Sequence, residues 1–186
     1  MRVKHWFILV APLCALALLA GYGLSGREGG DMAQVQAWVR QSHPTVDHID
    51  KATFDAMAVR DDVVALDVRT AEEFAVSHKP GAVHVEPDIS PEDFIARHGE
   101  AIRGKVVLVY CSVGKRSSHL AERVGETMMK YGAVGVFNIE GGIFGWHNEF
   151  RPLKRRMNPT EYVHPFNEDW ARYLKRRELS RYTPEE

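Results

Sequence analysis

Cysteine is almost absent from this sequence: its 186 residues contain two, Cys14 and Cys111. Cys14 lies in an apolar run at the amino terminus and Cys111 deep in the globular part, so no disulfide framework is available. Cys111 is then the single thiol of the folded domain, which is unusual in an oxidising compartment unless the thiol is used. A function should therefore be sought first for Cys111.

The sequence also lacks an excess of charge of either sign, since 24 Lys and Arg face 25 Asp and Glu, for a net charge of -1. Nucleic acid is not expected as a partner, because that binding depends on neutralising phosphates with basic residues. The hydrophobic fraction of 45% is typical of a soluble globular protein. The length suits one domain with additions at its ends and is too short for two full α/β domains.

The one long apolar stretch lies at the amino terminus. Arg2 and Lys4 precede an uncharged run from Trp6 to Leu24, the order of the basic and hydrophobic regions of an export signal. Residues 1–24 are therefore predicted to be a cleaved signal peptide or a retained signal anchor, with residues 25–30 as a linker. The basic residues predict a cytoplasmic N-terminus and a domain exported to the periplasm or to the extracytoplasmic face of the inner membrane.

From residue 46 onward, short apolar runs alternate with helical patterns. This alternation predicts an α/β fold with a central, largely parallel five-stranded sheet and helices on both faces. The predicted strands are Val46–Ile49, Val63–Val68, Ala82–Val85, Val106–Tyr110 and Val136–Ile139. Predicted helix starts are Asp31, Asp50, Thr70 with Glu73 as a capping box, and Ser90 before Pro91.

Two helices carry a clear apolar face. The helix after Asp31 is predicted to place Val35, Trp38 and Val39 on one face. In the helix after Cys111, apolar residues recur at every fourth position and Gly132 can end the helix; these residues are Leu120, Val124 and Met128. The N-terminal helix and the α/β domain together are predicted to occupy residues 31–150.

Residues 151–186 are predicted to form a C-terminal helical extension. A helix beginning near Asn167 would pack Trp170 and Tyr173 against the domain. The basic clusters Lys154–Arg156 and Lys175–Arg177 would then remain solvated. The alternative is that these clusters contact a protein partner or an anionic membrane surface.

The segment after the predicted strand Val106–Tyr110 has the composition of a reactive loop. Cys111 ends the strand, and the loop Ser112-Val113-Gly114-Lys115-Arg116-Ser117 leads into a helix. A cysteine between a strand end and a helix N-terminus sits in positive potential, which favours the thiolate. Gly114 lets successive backbone N–H groups turn toward one point and bind an anion. The sequence therefore predicts an activated Cys111 thiolate.

At this point the sequence resembles the rhodanese family, whose single-domain members carry a loop of the form Cys-x-x-Gly-x-Arg-Ser. Three further family motifs follow the same order along the chain. The matching residues are Cys111, Gly114, Arg116 and Ser117 for the loop, then Asp67-Val68-Arg69 with Glu73-Phe74, His78-Lys79-Pro80-Gly81-Ala82, and Glu140-Gly141-Gly142 with Gly145-Trp146. The resemblance covers residues 46 to 150 and excludes the leader, the first helix and the tail.

The resemblance implies a sulfurtransferase. Cys111 would take sulfur from a small anionic donor such as thiosulfate and pass it, as a persulfide, to a thiol or cyanide. Lys115 is expected to steer the donor, and Arg116 either to bind it or to brace the loop. Asp67 is expected to orient the loop through hydrogen bonds. The remaining supporting residues are Arg69, which belongs to the Asp-x-Arg motif, and Gly141 and Gly142, which admit backbone close to the pocket or form a turn.

Other functions remain open at this level. Related phosphatases place five residues between cysteine and arginine, whereas four separate Cys111 from Arg116, which favours sulfur over a phosphoryl group. A sulfur carrier or interaction module without turnover is the main alternative, and thiol–disulfide exchange would need a second cysteine from elsewhere. The nine histidines show no paired ligand spacing, so neither a metal site nor a cofactor is expected.

Overall fold

The computed structural model describes residues 30–184. At its centre five strands form one parallel sheet in the spatial order β1-β5-β4-β2-β3. They are β1 (Asp47–Ile49), β2 (Val63–Asp67), β3 (Val83–His84), β4 (Val106–Tyr110) and β5 (Gly135–Ile139). The predicted sheet is confirmed, and no strand end moves by more than one residue.

Seven α-helices accompany the strands in the described part of the chain: α1 (Met32–Ser42), α2 (Lys51–Ala58), α3 (Ala71–Val76), α4 (Pro91–Ile102), α5 (Lys115–Tyr131), α6 (Gly142–Asn148) and α7 (Glu168–Ala171). The four predicted caps are present, and each side chain accepts a backbone N–H of its own helix; they are Asp31, Asp50, Thr70 and Ser90. Thr70 and Glu73 form the reciprocal capping box that their spacing predicts.

Strand β4 lies in the middle of the sheet and is buried along its whole length. Its alternate side chains enter two separate apolar cores, because successive strand residues point to opposite faces. Val106, Leu108 and Tyr110 pack with α1, α2 and α6, whereas Val107 and Val109 pack with α4 and α5. Helices therefore cover both faces, and the carboxyl end of β4 opens between them.

The C-terminal extension differs from its prediction. It begins with a two-stranded antiparallel hairpin, β6 (Leu153–Arg155) and β7 (Asn158–Thr160), and its helix α7 is four residues long. The helix starts where predicted, after Asn167, but the Asn148 side chain binds the Tyr173 carbonyl at 2.8 Å and the Lys175 N–H at 2.7 Å. These bonds to the domain replace the ones that would continue a helix. The extension is thus mostly irregular.

The prediction for Trp38 was wrong in part. Val35 and Val39 are buried on the inner face of α1, but Trp38 keeps 41% of its surface exposed. Successive helical residues are separated by about 100° around the axis, so Trp38 lies at the flank of the face that Val39 occupies. There its ring packs beneath Lys115, with the Nζ atom 5.2 Å from the ring centre.

Within residues 30–184, none of the helices combines the length and the apolar character that crossing a membrane requires. The predicted leader, residues 1–24, and all but the last residue of the predicted linker lie outside the described residues.

Candidate functional site

Cys111 follows β4 directly, in the short loop that leads into α5. Only 1% of the surface of Cys111 is exposed to solvent. The loop curls back over the sulfur, so that the backbone N–H of Gly114 donates a hydrogen bond to Sγ at 3.2 Å. Gly114 has φ 106, in the left-handed region that only glycine adopts without strain, which makes this curl possible.

The loop favours the thiolate form of Cys111. Burial by itself raises the pKa of the thiol, but the Arg116 charge and hydrogen bonds from Ser117 and Gly114 outweigh it, so that the pKa lies below its usual value. A thiolate is the reactive form of cysteine. The contacts around the sulfur therefore favour the thiolate, and an activated Cys111 stays a prediction.

Two serines hold the turn behind the sulfur. Ser117 Oγ donates to Asn138 Oδ1 at 2.6 Å, and Ser118 Oγ lies 2.7 Å from the Gly114 carbonyl. Asn138 is fully buried in β5, and its amide also bonds the His48 ring at 3.1 Å. The loop is thus tied to the neighbouring strand as well as to its own helix.

Arg116 braces the loop. Its Nη1 and Nη2 atoms donate to Glu73 Oε2 and Oε1 at 2.6 and 2.8 Å, and Nη2 also donates to Ser112 Oγ at 2.9 Å. Ser112 Oγ donates in turn to Glu73 Oε1 at 3.1 Å. Of the two roles considered from the sequence, Arg116 has the bracing one, although part of its side chain still faces the site.

The start of α6 closes the other side of the loop. The backbone N–H groups of Ile143 and Phe144 donate to the carbonyls of Cys111 and Ser112 at 2.9 and 3.0 Å. Gly142 has φ 54, and a Cβ atom there would lie 2.3 Å from the Cys111 carbonyl oxygen. Gly142 thus permits a close backbone approach, whereas Gly141 supplies the left-handed turn before the helix.

Asp67 is paired with Arg69 at the end of β2, and its expected role in orienting the reactive loop stays a prediction. Its carboxylate accepts hydrogen bonds from Arg69 Nε and Nη2 at 2.9 and 2.7 Å, and both side chains are fully buried. Arg69 Nη2 also donates to the Ser77 carbonyl at 2.5 Å. The two residues therefore form one buried ion pair that fixes the end of β2.

Above the loop, a pocket of about 420 Å³ opens onto Cys111. We refer to it as the Cys111 pocket. The loop and the first turn of α5 line one side, and the extension lines another with Phe166 and Trp170. Its lining residues are His43, Cys111, Ser112, Val113, Lys115, Arg116, His119, Phe166 and Trp170.

Several residues of the site could not be assigned from the sequence. In the sequence Glu73 belongs to a helix start and to the Glu-Phe motif, and Asn138, Phe166 and Trp170 carry no signal of a site. Trp146 packs edge to face with Phe54 at 5.2 Å and is absent from the lining of the Cys111 pocket, as a core residue would be.

Among residues 30–184, no group of three or more His, Cys, Asp or Glu is placed to hold a metal ion.

The sequence profile of the rhodanese-like domain matches residues 50–149, which is more than half of the chain. The chain therefore belongs to the rhodanese-like domain family, a family of sulfurtransferases and related enzymes. The resemblance inferred from the four motifs is thereby confirmed.

Curated relatives match about half of the chain. The tRNA uridine(34) hydroxylase of Cytophaga hutchinsonii is 35% identical over 98 residues, which are 52% of this chain and 30% of that protein. The protein of that name from Bacillus velezensis is 33% identical over 86 residues, 44% of this chain and 25% of that protein. The matches thus span less than a third of the length of these relatives.

Solved structures include similar folds. A thiosulfate sulfurtransferase from Pseudomonas aeruginosa matches 78% of this chain and 27% of its own, with a TM-score of 0.49 and 18% identity. A human single-domain sulfurtransferase matches 52% of this chain and 91% of its own, with a TM-score of 0.39 and 19% identity.

Proposed function

We propose that this protein is a sulfurtransferase that carries sulfur as a persulfide on Cys111. The observation that supports this most is the placement of the sulfur. It lies at the end of β4, bonded by the Gly114 N–H at 3.2 Å and open to a pocket. Loop N–H groups that bond a thiolate can also bond the terminal sulfur of a persulfide, which is likewise an anion.

The reaction has two half-steps. The Cys111 thiolate attacks the outer sulfur of a donor such as thiosulfate, an S–S bond forms, and sulfite leaves with the electron pair of the broken S–S bond. An acceptor thiolate or cyanide then attacks the outer sulfur of the persulfide, and the electron pair of that bond returns to Cys111 as thiolate. No external oxidant or general base is needed once the thiolate has formed.

Lys115 provides a positive charge at the entrance of the pocket. Its side chain is exposed and lies over the Trp38 ring, beside the first turn of α5. A cation in this position raises the local concentration of an anionic donor. Arg116 contributes in a different way, because its pairing with Glu73 fixes the loop that surrounds the sulfur.

The proposal concerns sulfur transfer alone. The curated relatives bear the name tRNA uridine(34) hydroxylase, but they match this chain over 30% of their length or less. Hydroxylation of RNA is therefore not included.

Contact of the basic clusters Lys154–Arg156 and Lys175–Arg177 with a protein or an anionic membrane surface stays a prediction. Within the second cluster, Arg176 donates a hydrogen bond to the His147 carbonyl at 3.0 Å, which attaches the extension to the domain.

We further propose that the domain acts outside the cytoplasm. The support is the amino-terminal sequence, in which Arg2 and Lys4 precede the apolar run Trp6 to Leu24. Fusion of a reporter enzyme that is active only in the periplasm, placed after residue 184, tests this. Activity of the reporter is expected, and its absence together with a fully cytoplasmic protein would contradict export.

A turnover assay tests the sulfurtransferase activity. The protein should convert thiosulfate and cyanide into sulfite and thiocyanate, and Cys111→Ser should abolish this conversion. The matched control is Cys14→Ser, which removes the other cysteine of the chain and should leave turnover unchanged. Normal turnover by Cys111→Ser would refute the nucleophile, whereas a stable persulfide without turnover would favour a sulfur carrier.

A further inference from the structure

The C-terminal extension forms part of the surface that a substrate of Cys111 must contact. Phe166 and Trp170 belong to the extension, and both line the Cys111 pocket. The pocket volume of about 420 Å³ falls in the range of roughly 300–1,000 Å³ that sites for small organic molecules have. Thiosulfate is little larger than sulfate and would leave most of this volume empty.

The polar groups of the pocket are largely engaged by other residues of the protein. Arg116 is paired with Glu73, and the Phe166 ring covers its guanidinium carbon at 4.7 Å. His43 Nδ1 lies 2.8 Å from Glu122 Oε2. What the pocket offers a ligand is therefore the Lys115 cation, the His119 ring and the apolar surface of Phe166 and Trp170.

The aromatic side of the pocket is held firmly in place. Asn167 Oδ1 accepts a hydrogen bond from the backbone N–H of Trp170 at 3.0 Å, and the backbone N–H of Phe166 donates to His164 Nδ1 at 3.0 Å. Four apolar side chains of the extension are buried, namely Leu153, Val163, Ala171 and Leu174. Because its neighbours are anchored, this surface is already formed before a ligand arrives, which lowers the entropic cost of binding.

We propose that the sulfur donor is an organic sulfane compound whose apolar body lies against Phe166 and Trp170 while its anionic end faces Lys115. This inference rests on the proposed function, since it names the class of donor for the same cysteine. It assigns the C-terminal extension a role in selecting that donor. Inorganic thiosulfate lacks an apolar body and is predicted to be the poorer substrate.

Thiosulfonates, in which a sulfonyl group bears an apolar substituent and an outer sulfur, are suitable probes. The Cys111 thiolate attacks the outer sulfur, the bond between that sulfur and the sulfonyl sulfur breaks, and the sulfinate leaves with the electron pair. One negative charge enters with each reactant and one remains on each product, the persulfide and the sulfinate. The methyl and phenyl compounds share this chemistry and differ in their apolar body.

The experiment measures kcat/KM of the full chain with methanethiosulfonate and with benzenethiosulfonate, using cyanide as the acceptor. The preference for the phenyl compound is expected to fall about tenfold in Phe166→Ala and in Trp170→Ala, in line with the loss of apolar contacts in a binding pocket. Differences in intrinsic reactivity between the two donors cancel when the preference is compared between variants.

Phe150→Ala is the matched control. Phe150, like Phe166, is an exposed phenylalanine with positive φ that an arginine covers, but it lies outside the lining of the Cys111 pocket. The preference of Phe150→Ala for the phenyl compound should equal that of the unmodified protein. Phe166→Leu, which keeps an apolar side chain, should retain an intermediate preference and serves if the alanine variant does not fold.

The outcomes separate the two proposals. An unchanged phenyl preference in Phe166→Ala, Phe166→Leu and Trp170→Ala, with turnover intact, would overturn the role of the extension while leaving the sulfurtransferase in place. Absence of turnover with every donor would instead overturn the proposed function itself.

Discussion

Arg116 and Glu73 are joined by two parallel hydrogen bonds, at 2.6 and 2.8 Å, that connect the reactive loop to the start of α3. Glu73 also closes the capping box of α3, so one buried carboxylate serves both elements. Burial alone would raise the pKa of Glu73, but its bonds to Arg116 and to the Thr70 N–H lower the pKa to about 2. The pair therefore contributes to stability as well as to the shape of the site.

Glu73→Gln should lower the free energy of unfolding by about 3 kcal/mol at neutral pH, because it leaves Arg116 without its charged partner. Since the folded pKa of Glu73 lies below its usual value of 4.5, this contribution is present above pH 4.5 and is lost as the pH falls toward 2. Urea denaturation across this range measures it. Glu126→Gln, at an exposed pair with Lys130, is the control and should have little effect. A pH-independent difference would contradict the assignment.

Loss of the Arg116 charge should raise the pKa of Cys111, because that charge lowers it in the intact loop. The double variant Glu73→Gln with Arg116→Met avoids a buried unpaired carboxylate. In a Cys14→Ser background, the rate of reaction with iodoacetamide as a function of pH reports the thiolate of Cys111. The midpoint should move to higher pH in the double variant. An unshifted midpoint would show that the loop N–H groups alone activate the thiol.

Gly142→Ala should disrupt the reactive loop. The new Cβ would stand 2.3 Å from the Cys111 carbonyl oxygen, and backbone cannot move away as a side chain can. Gly81→Ala is the matched control, since Gly81 also has a positive φ of 76 but has nothing within 4 Å of a new Cβ. Both variants carry the strain of a positive φ, and only Gly142→Ala should lose sulfurtransferase activity. Equal losses in both would point to strain rather than to the close approach.

Lys79 is a buried amine enclosed by aromatic rings. Its Nζ atom lies 4.5 Å from the ring centres of Tyr110 and Trp146 and 5.0 Å from that of Phe54, and burial lowers its pKa to about 7. Because this folded pKa lies below the usual 10.5, the unfolded chain binds more protons between pH 7 and 10.5, and stability rises with pH there.

Lys79→Met removes this pH dependence. Its stability relative to the unmodified protein should be greatest below pH 7 and should decline by up to about 1.4 kcal/mol for each pH unit toward 10.5. Thermal or urea unfolding at a series of pH values provides the measurement. A difference that stays constant over this interval would show that Lys79 remains charged throughout, held by the three rings.

Features that depend on neighbours along the chain could be predicted from the sequence. The helix caps at Asp50 and Thr70 need only a backbone N–H two or three residues away, and the apolar run Val106–Tyr110 predicts a central strand. The reactive loop belongs to the same class, because the curl around Cys111 requires Gly114 and the helix that follows.

Features that depend on distant contacts could not be predicted. Whether Arg116 binds a donor or braces the loop is decided by Glu73, which is 43 positions away and has no local sign of its partner. The length of α7 is decided by Asn148, whose side chain takes up backbone groups of the extension. In the sequence, Phe166 and Trp170 cannot be distinguished from ordinary surface or core aromatic residues, because only the fold brings them into the pocket that contains Cys111.

The central claim is that Cys111 carries transferable sulfur. Mass spectrometry of the full chain after incubation with thiosulfate and removal of the donor tests it directly. The peptide that contains Cys111 should gain the mass of one sulfur atom, and addition of cyanide should remove this mass and release thiocyanate. A Cys111 peptide of unchanged mass, or added sulfur that persists in Cys111→Ser, would contradict the account.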